Sequence, residues 1–180
     1  ARGGDAAGVA LDLDADTTAI ERHLSHQPLM GGLVRRYPGL RVPGAWDAFE
    51  MSVRAVLGES MTGGAGAALC ALARRFGERL SIPNAGGLSF VFPSAEALAK
   101  ARLAELGSDR ARSVRSLAKV ALAGADEESL QDVPGVAEST AQYVAIRAFR
   151  QPDAFPSEDP VLLRAAGLED PPTAASLIAL

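Results

Sequence analysis

The chain has 180 residues, a formal net charge of −4, and 48% hydrophobic against 22% charged residues. This balance excludes a disordered chain and supplies enough apolar side chains for one buried core. The one cysteine, Cys70, excludes an internal disulfide and a four-cysteine metal cluster, and it predicts a reducing, cytoplasmic setting.

The N-terminal segment is the one place where a strand is predicted. Residues 9–14 alternate apolar and polar side chains, which is the period of a half-buried strand. Asp14 or Asp16 is then expected to cap a helix that runs to about His26. A further short helix is expected to end at Pro38-Gly39.

The clearest helix is expected to open at Pro43-Gly44. Its large apolar residues recur at spacings of three and four, so they share one face that is expected to be buried. These residues are Trp46, Phe49, Val53 and Val56. More helices follow along the chain, interrupted by a loop over residues 78–93, where proline and glycine recur. Together the elements predict a mainly α fold.

The segment from Leu130 to Ala141 is the most informative part of the chain. Pro134-Gly135 predicts a tight turn between two helices, because glycine adopts backbone conformations that other residues resist. The amides at the start of the second helix then point outward, where the helix dipole helps them to hold a phosphate. A simple helical hairpin without a ligand is the alternative, and the hairpin residues alone favour neither interpretation.

This segment resembles the helix-hairpin-helix motif of DNA repair proteins. The usual pattern is Leu-x-x-apolar-Pro-Gly-apolar-Gly, with Thr-Ala shortly after it. Here Ala137 replaces the second glycine, and Glu138 follows it. The resemblance implies that DNA is bound through the residues of the turn and of the following helix, namely Pro134, Gly135, Ala137 and Thr140.

The resemblance covers the chain from about residue 8 to its end. Residues 42–50 and 53–58 are similar to the same stretches of helix-hairpin-helix DNA glycosylases, above all DNA-3-methyladenine glycosylase II. In that family the next residues lie near a side chain that wedges into the base stack, which implies DNA contacts for Ser60 and Met61. The alternative for these two residues is a polar loop. Arg112 belongs to a basic run that implies phosphate contacts, with a solvated face as its alternative.

An acidic residue downstream strengthens the resemblance. Asp159 follows a proline-containing loop and directly precedes Pro160, and these glycosylases carry an essential aspartate at this kind of place. The resemblance implies that Asp159 stabilises positive charge on the sugar and orients or deprotonates the attacking water. The alternatives are that Asp159 only caps the next helix, or that Glu158 is the catalytic carboxylate.

The resemblance also implies a substrate pocket lined by Tyr143, Ser139 and Val161. Bifunctional members of the superfamily carry a lysine at the position of Ser139, where it forms a Schiff base. Since Ser139 offers no amine, a monofunctional enzyme is implied. Ser139 also lacks the aromatic ring that the methyladenine branch often places there to stack on the base.

The sequence therefore predicts a helix-hairpin-helix glycosylase core over residues 15–180, complete or truncated at its C-terminus, with residues 1–14 as the remnant of an N-terminal β domain. Its expected function is the excision of alkylated purines of the 3-methyladenine type from damaged double-stranded DNA, in base excision repair. We expect a monomer in the bacterial cytoplasm, at the nucleoid. No cofactor is expected, although hairpin carbonyls are a site for a monovalent cation.

The alternative function is a catalytically degenerate helix-hairpin-helix domain that binds DNA or a protein partner. The net charge of −4 favours it, because phosphate binding usually draws on a basic surface. Ala137, Glu138 and Ser139 favour it as well, since each departs from the family pattern.

Overall fold

The structure is a computed structural model that describes residues 6–58, 64–81, 86–124 and 127–165. Within these ranges the chain is helical, and a single isolated bridge pairs Arg79 with Phe90. The first five helices, α1 to α5, are Ala6–Ala10, Thr17–Leu24, Pro28–Arg36, Ala48–Leu57 and Gly64–Phe76. The next five, α6 to α10, are Ala95–Lys100, Ser108–Leu122, Glu127–Gln131, Glu138–Phe149 and Pro160–Ala165.

The helix α4 lies at the centre of the bundle and packs against α5, α7 and α9. Its apolar residues are spaced so that they line one side of the helix, and that side is buried. The surrounding helices complete the core with leucine and valine side chains that are almost fully buried, among them Leu72, Leu98, Val114, Leu117 and Val144. The predicted mainly α class is confirmed.

The start of α4 differs from its prediction. Asp47 is the N-cap residue, and its carboxylate accepts a hydrogen bond from the Glu50 amide at 2.7 Å. Because this cap fixes the first turn, Pro43-Gly44 does not open the helix. Trp46 therefore lies outside α4 and is 75% exposed, so its predicted place on the buried face is wrong.

The cap on α4 leads to a test of stability. Asp47→Ala is expected to lower the free energy of unfolding by about 1 kcal/mol, because the Glu50 amide loses its acceptor. Asp47→Asn retains an acceptor oxygen and is expected to stay close to the parent. Urea unfolding of the three proteins measures the difference, and equal losses in both variants would contradict this role of the carboxylate.

The strand predicted at residues 9–14 is wrong. A strand needs a neighbour for its backbone groups. Here the amides close helical turns instead, such as Leu11 N to Ala7 O at 2.9 Å. Residues 6–10 form α1, residues 11–14 form a turn, and Asp12 in that turn has a φ of 53°. Leu11 and Leu13 are exposed, so the alternation does not mark a buried face.

Ion pairs hold this turn against the far end of the bundle. Arg150, at the end of α9, donates to Asp14 at 3.0 Å and to Asp12 at 2.8 Å. Both hydrogen bonds raise the pKa of Arg150 above its usual value, and the one to Asp14 has the larger effect. Arg41 also donates to the backbone carbonyl of Asp12. The N-terminal turn is therefore attached to Arg150 at the end of α9 and to Arg41.

Asp16 caps α2 as expected and accepts from the Ala19 amide at 3.0 Å. The division into domains at residue 14 stays a prediction. The sequence also predicts a helix from about Thr173, and that segment lies outside the described residues. Among the described residues, none of the helices combines the length and the hydrophobicity of a membrane-spanning segment.

Candidate functional site

The predicted hairpin is formed by α8, a tight turn and α9. Gly135 adopts a φ of 80°, in the left-handed region that favours glycine. The Val136 amide donates to the Val133 carbonyl at 3.1 Å and closes the turn. Pro134 and Gly135 are exposed, whereas Val133 is buried in the core. The turn thus projects its backbone to the surface from a fixed base.

A residue of α7 that was not predicted from the sequence supports this turn. Ser113 is buried, and its hydroxyl lies 2.9 Å from the Pro134 carbonyl oxygen and 3.1 Å from that of Asp109. A Cβ atom on Gly135 would overlap with the Ser113 hydroxyl oxygen. A side chain at this position is therefore strained by φ and would also displace the Ser113 hydroxyl. Arg112, the neighbour of Ser113 on α7, is exposed, and its guanidinium lies 3.7 Å from the Asp109 carboxylate.

The N-terminus of α9 is the open end of the hairpin. Its N-cap residue is Ala137, which makes no side-chain capping hydrogen bond. The first amides of a helix have no acceptor within the helix, so those of α9 can donate to an external anion. Ala137 is exposed and Thr140 partly so, which leaves this end accessible. Glu138, in the first turn, places a negative charge beside it.

The predicted catalytic residue, Asp159, stands at the head of α10. One carboxylate oxygen, Oδ1, accepts from the Val161 amide at 2.7 Å and from the Leu162 amide at 3.1 Å. The capping geometry given above as an alternative is therefore present. The other oxygen, Oδ2, makes no hydrogen bond to the described residues. The cap fixes the orientation of the carboxylate without using both oxygens, so capping and catalysis are compatible.

Two of the predicted pocket residues share a face of α9. Ser139 and Tyr143 are one turn apart. The Tyr143 hydroxyl accepts from Arg147 Nη1 at 2.8 Å, and the guanidinium carbon lies 5.5 Å from the centre of the ring. Arg147 also donates to the carbonyl of Pro43. The tyrosine ring is thereby tied to the loop that precedes α4.

The third predicted pocket residue, Val161, belongs to the Asp159 cap through its amide and is 48% exposed. The loop before α10 is attached to α9 by a hydrogen bond from the Phe155 amide to Gln142 Oε1, at 3.1 Å. This bond connects the helix of Tyr143 with the segment of Asp159. Ser60 and Met61, predicted as the wedge, lie outside the described residues.

A cavity of about 350 Å³ opens elsewhere in the bundle, and none of the predicted site residues lines it. Its polar side chains are occupied within α4: Asp47 caps the helix, and Ser52 donates to the Ala48 carbonyl at 2.8 Å. Next to Asp47, burial raises the pKa of Glu50, and the Asp47 charge adds to this effect. The remaining wall is mainly apolar, so the cavity offers no reactive group.

Comparisons with known proteins define the class. The structure of an 8-oxoguanine glycosylase/lyase from Clostridium acetobutylicum superposes with a TM-score of 0.76 at 18% identity, over 95% of this chain and 66% of that chain. The same protein bound to double-stranded DNA gives a TM-score of 0.72. The chain thus has the fold of the helix-hairpin-helix DNA glycosylases, as predicted.

Sequence comparison shows which of these glycosylases the chain is similar to. The chain is 37% identical to DNA-3-methyladenine glycosylase 2 of Escherichia coli over 148 residues, and 36% identical to a probable bifunctional transcriptional activator/DNA repair enzyme AlkA of Mycobacterium tuberculosis over 163 residues. These matches cover 72% and 83% of this chain. Residues 9–47 match the family model for the AlkA N-terminal domain. The predicted resemblance to DNA-3-methyladenine glycosylase II is confirmed.

The chain is shorter than these relatives. It spans 51% of the Escherichia coli protein and 33% of the Mycobacterium tuberculosis protein.

Proposed function

We propose that this chain carries the catalytic part of a monofunctional DNA N-glycosylase that excises alkylated purines of the 3-methyladenine type in base excision repair. The observation that carries the proposal is the position of Asp159. Its carboxylate is fixed at the head of α10, downstream of an open hairpin, in a chain whose relatives are named as glycosylases for this lesion.

The proposed chemistry follows from this position. The enzyme bends double-stranded DNA, extrudes the damaged nucleotide and hydrolyses the bond between base and sugar. As the base leaves, positive charge develops on the sugar, and the Asp159 carboxylate stabilises it. The oxygen Oδ2, which makes no hydrogen bond to the described residues, orients or deprotonates the attacking water. Ser139 supplies no amine, so the reaction ends at an abasic site.

The hairpin is proposed to hold a phosphate of the DNA backbone. The amides at the start of α9 donate to it, and the turn of Pro134 and Gly135 presents them with support from Ser113. Ala137 and Thr140 flank this position, and Arg112 on α7 is proposed to add a further phosphate contact. We assign the wedge to Ser60 and Met61.

The extruded base is proposed to enter between α9 and α10, against Tyr143, Ser139 and Val161. The hydrolysis needs no cofactor or metal, and the hairpin carbonyls are the place for a monovalent cation. We propose a monomer that acts on damaged DNA at the bacterial nucleoid.

One observation favours a second function. Asp159 already caps α10 through two amides, so its presence is explained without catalysis. Together with Ala137 and Glu138 at the hairpin, this favours a domain that binds DNA without releasing a base.

An assay of base release distinguishes the glycosylase from a domain that only binds DNA. Duplex DNA treated with a methylating agent is incubated with the protein, and the purines freed into solution are identified by chromatography. The glycosylase releases methylated purines and leaves normal purines in place. Binding that falls steeply with salt, with no base released by the folded protein, would favour the second function and overturn the proposal.

Glu138 provides a prediction for the hairpin. Glu138→Gln is expected to tighten duplex binding about two- to fivefold at low salt, because it removes a negative charge next to the amides that hold the phosphate. The matched control is Glu96→Gln, since Glu96 occupies the first turn of α6. Fluorescence anisotropy with a labelled duplex measures both. Equal affinity of the parent and Glu138→Gln for the duplex would contradict a phosphate-binding site at the N-terminus of α9.

A further inference from the structure

The loop that leads to Asp159 is anchored to α9 through one side chain. Gln142 Oε1 accepts a hydrogen bond from the Phe155 amide at 3.1 Å. Among the described residues, this is the only hydrogen bond that joins residues 152–158 to another helix. On the same stretch of α9, Ala141 and Val144 are buried in the core. The acceptor therefore extends from a helix whose position is fixed.

Hydrogen bonds within the loop continue from Phe155 to Asp159. The Ser157 amide donates to the Phe155 carbonyl at 2.8 Å, and the Asp159 amide donates to the Pro156 carbonyl at 3.0 Å. Pro156 itself is buried. Because these two bonds and the buried proline limit the freedom of the turn, the position of Phe155 sets that of Asp159.

The helix after this turn is not anchored in the core of the described residues. None of the residues of α10 is buried there. The cap by the Val161 and Leu162 amides fixes the Asp159 carboxylate relative to α10, but not relative to α9. The second relationship depends on the loop, and hence on its hydrogen bond to Gln142.

Resting on the proposed function, we infer that Gln142 is a positioning residue that holds Asp159 in place against the sugar of the extruded nucleotide. Gln142 acts through the loop, because its side chain holds Phe155 and the turn then holds Asp159. Reacting groups must be closely aligned, and a displacement of about 1 Å can lower a rate about 100-fold. Loss of the acceptor oxygen therefore slows the chemical step and leaves the hairpin that binds DNA unchanged.

Single-turnover kinetics of Gln142→Leu test this role. Leucine is as good a helix former as glutamine but has no acceptor for the Phe155 amide. On a duplex that carries one 7-methylguanine, the rate at saturating enzyme is expected to fall roughly 10- to 100-fold. The dissociation constant for the duplex is expected to stay within about twofold of the parent, and the melting temperature within about 4 °C. An unchanged rate, or a loss of affinity without a loss of rate, would overturn the inference.

Two further variants separate the acceptor oxygen from other effects of the substitution. Gln142→Glu keeps an oxygen at the same distance from the backbone and is expected to retain most of the rate. Gln151→Leu is the matched control, because Gln151 is exposed in the same loop and its side chain makes no hydrogen bond to the described residues. It is expected to react at the parental rate. A loss in either variant as large as that in Gln142→Leu would overturn the inference.

Amide hydrogen exchange, followed by NMR without DNA, keeps this result separate from the proposed function. The Phe155 amide is expected to exchange at least about tenfold faster in Gln142→Leu than in the parent. Equal exchange would overturn the inference. If the parent releases base and Gln142→Leu does so equally fast, the role of Gln142 is refuted and the glycosylase proposal stands. A folded parent that releases no base refutes the glycosylase instead, and the exchange of Phe155 still shows whether Gln142 holds the loop.

Discussion

Asp159→Asn is expected to lower base release by at least about 10³-fold while the protein stays folded. The loss follows from removing the negative charge that stabilises the sugar cation and the base that activates water. Asparagine keeps a side-chain oxygen for the Val161 and Leu162 amides and caps helices as well as aspartate does. The melting temperature is therefore expected to stay within about 2 °C of the parent.

Two further variants complete this experiment. Asp159→Ser also keeps a capping oxygen without a carboxylate, so it is expected to be folded and inactive. Glu158→Gln removes the rival carboxylate and is expected to keep most of the activity. Measured together on one methylated duplex, they locate the catalytic group. If activity survives in both Asp159 variants, or is lost only in Glu158→Gln, then Asp159 is not the catalytic carboxylate.

Gly135→Ala is expected to destabilise the protein by about 2–4 kcal/mol, the sum of a left-handed backbone and an overpacked contact. The residue has a φ of 80°, and the new methyl group meets the buried Ser113 hydroxyl. This corresponds to a fall in melting temperature of roughly 5–15 °C. Duplex binding is expected to weaken too, because the turn carries the amides that hold the phosphate.

A double-mutant cycle separates the two causes. Ser113→Ala alone is expected to cost about 1 kcal/mol, since the Pro134 carbonyl loses its donor. Combined with Gly135→Ala, it also removes the overlap, so the double variant is expected to be more stable than the sum of the single losses predicts. Strict additivity in urea unfolding would contradict the contact between α7 and the hairpin.

The helices and the hairpin were predictable from the sequence because their signals are local. Apolar residues at spacings of three and four predict the buried face of α4 from Phe49 onward. Pro134-Gly135 predicts the tight turn of the hairpin. The prediction for Trp46 failed because an aspartate directly after it caps the helix. The strand at residues 9–14 failed because alternation predicts a strand only where a partner strand exists.

The candidate site was predictable only in part. The sequence points to Asp159 and names both of its roles, and the structure shows the capping one. Ser113 was not predictable, because its importance comes from a contact with Pro134, which is distant in sequence. A small polar residue within the apolar side of α7 was the one available signal. The hydrogen bond from Arg147 to the Pro43 carbonyl was not predictable either, because these two residues are also distant in sequence.

We propose that this chain hydrolyses the bond between an alkylated purine and its sugar. The most direct test of this proposal is a single-turnover time course with the parent protein in excess over a duplex that carries one 7-methylguanine. Free base and abasic sites are expected to accumulate in equal amounts, with strand breaks appearing only after alkali. No free base from the folded protein would contradict the account, and strand cleavage without alkali would contradict a monofunctional enzyme.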